Sequence, residues 1–102
     1  MSRVYVAAKF QDRMTARCIM AHLRGKGHTI TFDWTDSKYQ NREETPEDAV
    51  ACLNGVRDCE VFIGVFVKPY KYQGSLVELG VALGLKKKVH IIGDAIDSCI
   101  FY

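Results

Sequence analysis

Ser75 and Glu78 stand three apart in the run Gly74-Ser75-Leu76-Val77-Glu78-Leu79-Gly80, and that spacing admits two kinds of work. S-x-x-E is the pattern of a capping box, in which hydroxyl and carboxylate satisfy backbone amides at a helix start. The same placement favours the ionised carboxylate, the form that attacks an electrophilic carbon. The two readings are compatible. Gly74, just before them, allows close approach of a ligand to backbone with exposed amides. Cys18 and His22 share a helix face at i, i+4, but no second ligand pair has usable spacing. The expectation is therefore no metal and no cofactor.

These residues need elements to position them. Val4 to Ala8 is a short apolar run, and Gln11 and Asp12 signal a helix that reaches Arg24 and stops in Gly25-Lys26-Gly27. His28 to Phe32 reads as a second strand, followed by a long polar loop from Asp33 to Glu44. Thr45-Pro46-Glu47-Asp48 opens the next helix, with Thr45 as N-cap, Pro46 in the first turn and two acids at the positive end of the dipole. Ala49, Val50, Leu53 and Val56 continue it at helical spacing to Asp58. Val61 to Val67 is a strand buried on both faces, Lys68 to Gly74 a loop, Ser75 to Leu85 a third helix and Val89 to Ile92 a fourth strand. The order βαβαβαβ calls for one α/β domain over residues 1–102: a three-layer, flavodoxin-like or Rossmann-like parallel sheet with helices on both faces. In such a sheet the crevice lies beyond the carboxyl ends of the strands, which selects Ala8 to Arg13, Asp33 to Asp36 and Val67 to Glu78. Ile100 to Tyr102 suit a short final strand or a contact with a neighbouring subunit.

Val4-Tyr5-Val6-Ala7-Ala8, Val61-Phe62-Ile63-Gly64-Val65-Phe66 and Gly74 to Gly80, in that order, resemble the nucleoside 2-deoxyribosyltransferase family over most of the chain. That family includes hydrolases of deoxynucleoside 5′-monophosphates. The resemblance implies that Glu78 attacks C1′ of the sugar as the base departs, giving a covalent glycosyl-enzyme as in a retaining glycosidase. A second base or water then takes the sugar. It implies also that the Tyr5 hydroxyl orients Glu78, and that Gly74 and Ser75 lie against the sugar or its 5′ group. The sequence departs from the family where a proton donor is expected: Cys52 takes the place of an aspartate on the helix before the third strand. Tyr72 and Gln73 stand where a loop aspartate is found. Asp48, one turn before Cys52, and Asp33 are then the aspartates considered as acids. Trp34 is placed to stack on a base, with Asp33 and Asp36 beside it. Lys9, Arg13, Lys68 and Lys71 occupy crevice loops and suit a 5′-phosphate. Lys86-Lys87-Lys88 sits at a helix end on the opposite side and complements the dipole there. The missing aspartates leave a second reading, a nucleotide-binding or sensor module without catalysis.

The bulk properties set the surroundings. With 102 residues, 48% apolar and 25% charged, the chain suits a packed core. A net charge of +2 is too small for a duplex nucleic-acid footprint. No apolar run is long enough for a membrane span, and the start does not read as a signal peptide. Cys18, Cys52, Cys59 and Cys99 are spaced as reduced thiols, which points to the cytoplasm. Small size favours a homo-oligomer. The expected partner is a nucleoside or nucleotide, with no membrane and no duplex nucleic acid.

Overall fold

The first strand is apolar at successive positions because both of its faces are covered. In the computed structural model, which describes residues 2–36, 45–67 and 74–93, β1 (Arg3–Ala8) is followed by a 3-10 turn (Phe10–Asp12), α1 (Arg13–Gly25) and β2 (Thr29–Ile30). Then come α2 (Pro46–Asp58), β3 (Val61–Val65), α3 (Gly74–Gly84) and β4 (Lys88–Ile92). The sheet runs β2-β1-β3-β4 with every pairing parallel. This is the three-layer, flavodoxin-like arrangement that the pattern of elements calls for.

Side chains alternate along β1. Val4 and Val6 pack with Val65 and with Ala16 and Met20 of α1. Tyr5 and Ala7 pack on the opposite face with Phe62, with Val56 of α2 and with Leu79 and Ala82 of α3. One helix therefore covers one face and two cover the other. The chain leaves β1 outward to β2 and returns across it to β3, so the strand order reverses between β1 and β3. Their carboxyl ends are level, Ala8 opposite Val65. Such a reversal opens a crevice there.

Several boundaries differ from the expected ones. β2 covers Thr29–Ile30 rather than His28 to Phe32. Thr31 still donates its amide to the Val4 carbonyl at 3.0 Å, but the next carbonyl on that edge, Val6, receives the Trp34 indole N–H at 2.7 Å. A side chain has taken the ladder bond that a longer strand would make. β3 ends at Val65, with one further bond from the Phe66 amide to the Ile92 carbonyl at 2.7 Å. Helix α1 begins at Arg13, after the turn that contains Gln11 and Asp12.

Helix α2 begins as its sequence directs. Thr45 and Asp48 form a reciprocal capping box: the Asp48 amide donates to Thr45 Oγ1 at 3.3 Å, and the Thr45 amide donates to Asp48 Oδ2 at 2.9 Å. Among the described residues no helix is long and apolar enough to cross a membrane. Cys18, Cys52 and Cys59 are free thiols, and Cys18 and His22 lie exposed on α1. Lys68, Lys71, Tyr72, Gln73, Cys99 and Ile100 to Tyr102 lie outside the described residues.

Because the box satisfies two amides at the start of α2, Thr45→Ala is expected to lower stability by about 1 kcal/mol. A urea titration reads this as a lower midpoint at unchanged slope. An unchanged midpoint would mean that the box contributes nothing.

Candidate active site

The site is built around Tyr5. Its ring is 1% exposed and stacks on Phe62, with centroids 5.9 Å apart and planes 21° from parallel. On α2 the ring meets Gly55, where a Cβ would stand 2.9 and 3.1 Å from two ring carbons and 2.9 Å from the Phe32 Cβ. Only a residue without a side chain lets the helix and the ring come this close. So fixed, the ring delivers its hydroxyl to α3, where it donates to Glu78 Oε2 at 2.9 Å. Burial pushes the Tyr5 hydroxyl well above its ordinary pKa of 10.0, and the charges of Glu78 and then Cys52 push it further. Tyr5 thus keeps its proton and serves as a donor.

Glu78 is half-buried and sits one turn inside α3. Because the helix begins at Gly74 rather than Ser75, Ser75 is a buried first-turn residue and not the N-cap. The capping-box account of Ser75 and Glu78 therefore fails, and the Glu78 carboxylate is instead engaged by Tyr5 from across the core. Gly74 is exposed, and no described atom lies within 4 Å of where its Cβ would be.

Cys52 joins this pair. It is half-buried on α2 and packs against the cluster that holds Tyr5. Alignment by spacing marks this position only as a departure from an expected aspartate. Nothing in the spacing shows that its side chain packs against the Tyr5 cluster. Asp12, read from the sequence as a helix-start signal, is 4% exposed in the turn after β1. It lies in the turn that follows the first strand, and the signal available for it was its place just beyond Ala8.

The remaining expected residues divide. Ala8 ends β1 and Lys9 follows it, both half-buried at the crevice mouth. Arg13 folds onto the same turn, its guanidinium 4.4 Å from the Phe10 ring centroid and its Nη1 donating to the Phe10 carbonyl at 3.3 Å. Trp34 spends its N–H on Val6 and packs against both core clusters, so its indole braces the sheet. Asp33 accepts from the Thr35 amide at 2.9 Å and from the Thr35 hydroxyl, and pairs with Arg24 at 3.3 Å. Burial alone would raise its pKa, but the Thr35 bonds and Arg24 outweigh it and hold the carboxyl below its ordinary value. That is the wrong direction for a proton donor near neutral pH. Asp48, one turn before Cys52, has Oδ2 committed to the Thr45 amide. Asp36 is exposed beyond the Asp33 turn. Among the described residues there is no group of three or more side chains suited to hold a metal ion.

The fold and site define a class: a doubly wound parallel α/β unit that presents a tyrosine-held carboxylate where its strand order reverses. No protein-family model matches the chain, and no curated protein matches it. Among the solved structures that share its fold are two enzymes. One is the CMP N-glycosidase BcmB of Clostridium botulinum, at TM-score 0.63 and 23% identity, covering 87% of this chain and 69% of its own. The other is a 2-deoxyribosyltransferase from Leishmania mexicana, at TM-score 0.68 and 18% identity, covering 91% of this chain and 65% of its own. This chain thus spans about two thirds of the length of each. The shared fold agrees with the family resemblance carried by the motifs of β1, β3 and α3.

Two outcomes follow from this geometry. Gly55→Ala forces the Tyr5 ring or α2 to shift and is expected to lower stability by about 1–3 kcal/mol, read by chemical denaturation; wild-type stability would show that the contact yields freely. Asp33 has a lowered folded-state pKa, so its contribution is full above the unfolded value near 3.8 and is lost as pH falls through the folded value. The stability gap between wild type and Asp33→Asn should therefore be widest at neutral pH and narrow in acid. A gap that does not change with pH would contradict this.

Proposed function

We propose that this chain is an N-glycosidic-bond enzyme acting on deoxynucleosides or deoxynucleoside 5′-monophosphates, with Glu78 as the glycosyl acceptor. The observation that carries the proposal is the 2.9 Å hydrogen bond from buried Tyr5 to Glu78 at the strand-order reversal. Glu78 is held by a donor that keeps its proton, which favours the carboxylate, the form that attacks an electrophilic carbon.

In the proposed reaction a Glu78 oxygen bonds to C1′ as the bond from C1′ to the base nitrogen breaks, through an oxocarbenium-like transition state. The base leaves with the bond electrons and takes up a proton. Asp48 is the acid proposed to supply it, on giving up its bond from the Thr45 amide, since Asp33 is held ionised. The glycosyl ester is then cleaved by a second base in transfer or by water in hydrolysis. Lys9 and Arg13, on the turn after β1, are the cations proposed to receive a 5′-phosphate. Gly74 and Ser75 are proposed to face the sugar. Copies of the chain are proposed to associate, since Val77, Leu83, Leu85, Ile91 and Ile92 leave apolar surface exposed. A fully active monomer in light scattering would remove this last element.

The competing reading is a nucleotide-binding module without turnover, favoured by the thiol of Cys52 and the ionised state of Asp33. A panel of deoxynucleosides and their monophosphates, with and without an acceptor base, separates the two by chromatography of released base. The proposal expects release that falls by at least about a hundredfold in Glu78→Ala and by about tenfold or more in Tyr5→Phe. Binding without release favours the competing module, and release undiminished in Glu78→Ala overturns the nucleophile.

A further inference from the structure

The last four carbonyls of an α-helix lack partners within the helix. At the end of α2 all four are supplied from outside it. The Arg57 carbonyl accepts from Lys87 Nζ at 2.7 Å, that of Asp58 from Arg3 Nε at 2.8 Å, and that of Val56 from the Cys59 amide at 3.3 Å and Sγ at 3.0 Å. The Gly55 carbonyl accepts from the Thr31 hydroxyl at 2.7 Å. This last bond differs from the others, because Gly55 is the residue that meets the Tyr5 ring. Thr31 is tied on its other side as well: its amide donates at 3.0 Å to the carbonyl of Val4, the residue before Tyr5. Phe32, the next residue, places its Cβ 2.9 Å from where a Gly55 Cβ would stand.

We propose that Thr31 is a positioning residue for Glu78: by joining Val4 to Gly55 it fixes the slot that holds the Tyr5 ring, and so keeps the Tyr5 hydroxyl at hydrogen-bond distance from the carboxylate. The Thr31 hydroxyl has a single proton, and the 2.7 Å contact with Gly55 claims it over the Val4 carbonyl at 3.5 Å. Without that hydroxyl, the tie between α2 and the strand that carries Tyr5 is lost at the residue against the ring. The ring reaches Glu78 at 2.9 Å. A hydrogen bond weakens steeply as its geometry departs from the ideal, so a small shift of the ring is felt at the carboxylate.

This inference rests on the proposed role of Glu78 but is tested apart from turnover. The full chain is labelled with carbon-13 glutamate, the Glu78 carboxyl signal is assigned with Glu78→Gln, and its titration is followed by NMR. Thr31→Val removes the hydroxyl and keeps the volume, Thr31→Ala removes hydroxyl and methyl together, and Thr31→Ser keeps the hydroxyl. Lys87→Met removes a bond from the same helix end without touching Gly55. The tie predicts that Glu78 titrates at higher pH in Thr31→Val and Thr31→Ala, by about half a pH unit or more, because the carboxylate loses part of the bond that favours its charged form. The midpoint should stay near that of wild type in Thr31→Ser and Lys87→Met. A wild-type midpoint in Thr31→Val and Thr31→Ala overturns the proposal. So does an equal shift in Lys87→Met, which would make Thr31 one helix cap among others with no particular line to Tyr5. If a substrate is turned over, kcat should fall severalfold in Thr31→Val and recover in Thr31→Ser, with KM little changed. Failure to find any substrate sinks the functional reading and leaves the NMR titration to decide the role of Thr31.

Discussion

The hydrogen bond from Tyr5 to Glu78 joins the first strand to the third helix, across 73 positions of sequence. Three elements are arranged to make it. β1 carries the ring on the face covered by α2 and α3, Phe62 on β3 stacks beneath it, and Gly55 admits it against α2. Each of these is a contact of the apolar core, and together they aim one polar group. The core thus holds the ring fast, and its hydroxyl has little freedom except to choose among partners.

The sheet topology supplies the setting. Because β2 and β3 lie on opposite sides of β1, the loops after β1 and β3 diverge at their carboxyl ends. α3 begins in the segment that follows β3, with Glu78 one turn inside it. The turn after β1 brings Lys9, buried Asp12 and Arg13 to the same end of the sheet. Fold likeness to an N-glycosidase and a deoxyribosyltransferase speaks to the architecture alone, and the chemistry rests on Tyr5 and Glu78 themselves.

Much of this was legible in the sequence, for reasons that differ by element. β1 and β3 read clearly because burial on both faces writes an unbroken apolar run. The start of α2 read clearly because Thr45, Pro46 and Asp48 each have a local reason to be there. Ser75 and Glu78 misled by the same rule: S-x-x-E spacing does not say where the helix begins, and a start at Gly74 removes the box. The end of β2 was hidden because the indole of Trp34 completes the ladder, and periodicity does not register a side chain that replaces a backbone donor. Cys52 was found by position and not by its place in the core, since packing of one helix residue against a strand on another element leaves no pattern in either.

The central claim is that Glu78 takes the sugar, and trapping tests it most directly. Protein mixed with a reactive deoxynucleoside or its monophosphate is quenched in acid, digested and mapped by mass spectrometry. The account predicts a deoxyribosyl or phosphodeoxyribosyl adduct on the peptide that carries Glu78, absent from Glu78→Ala. An adduct on another residue, or base release at the wild-type rate from Glu78→Ala with no adduct anywhere, would contradict it.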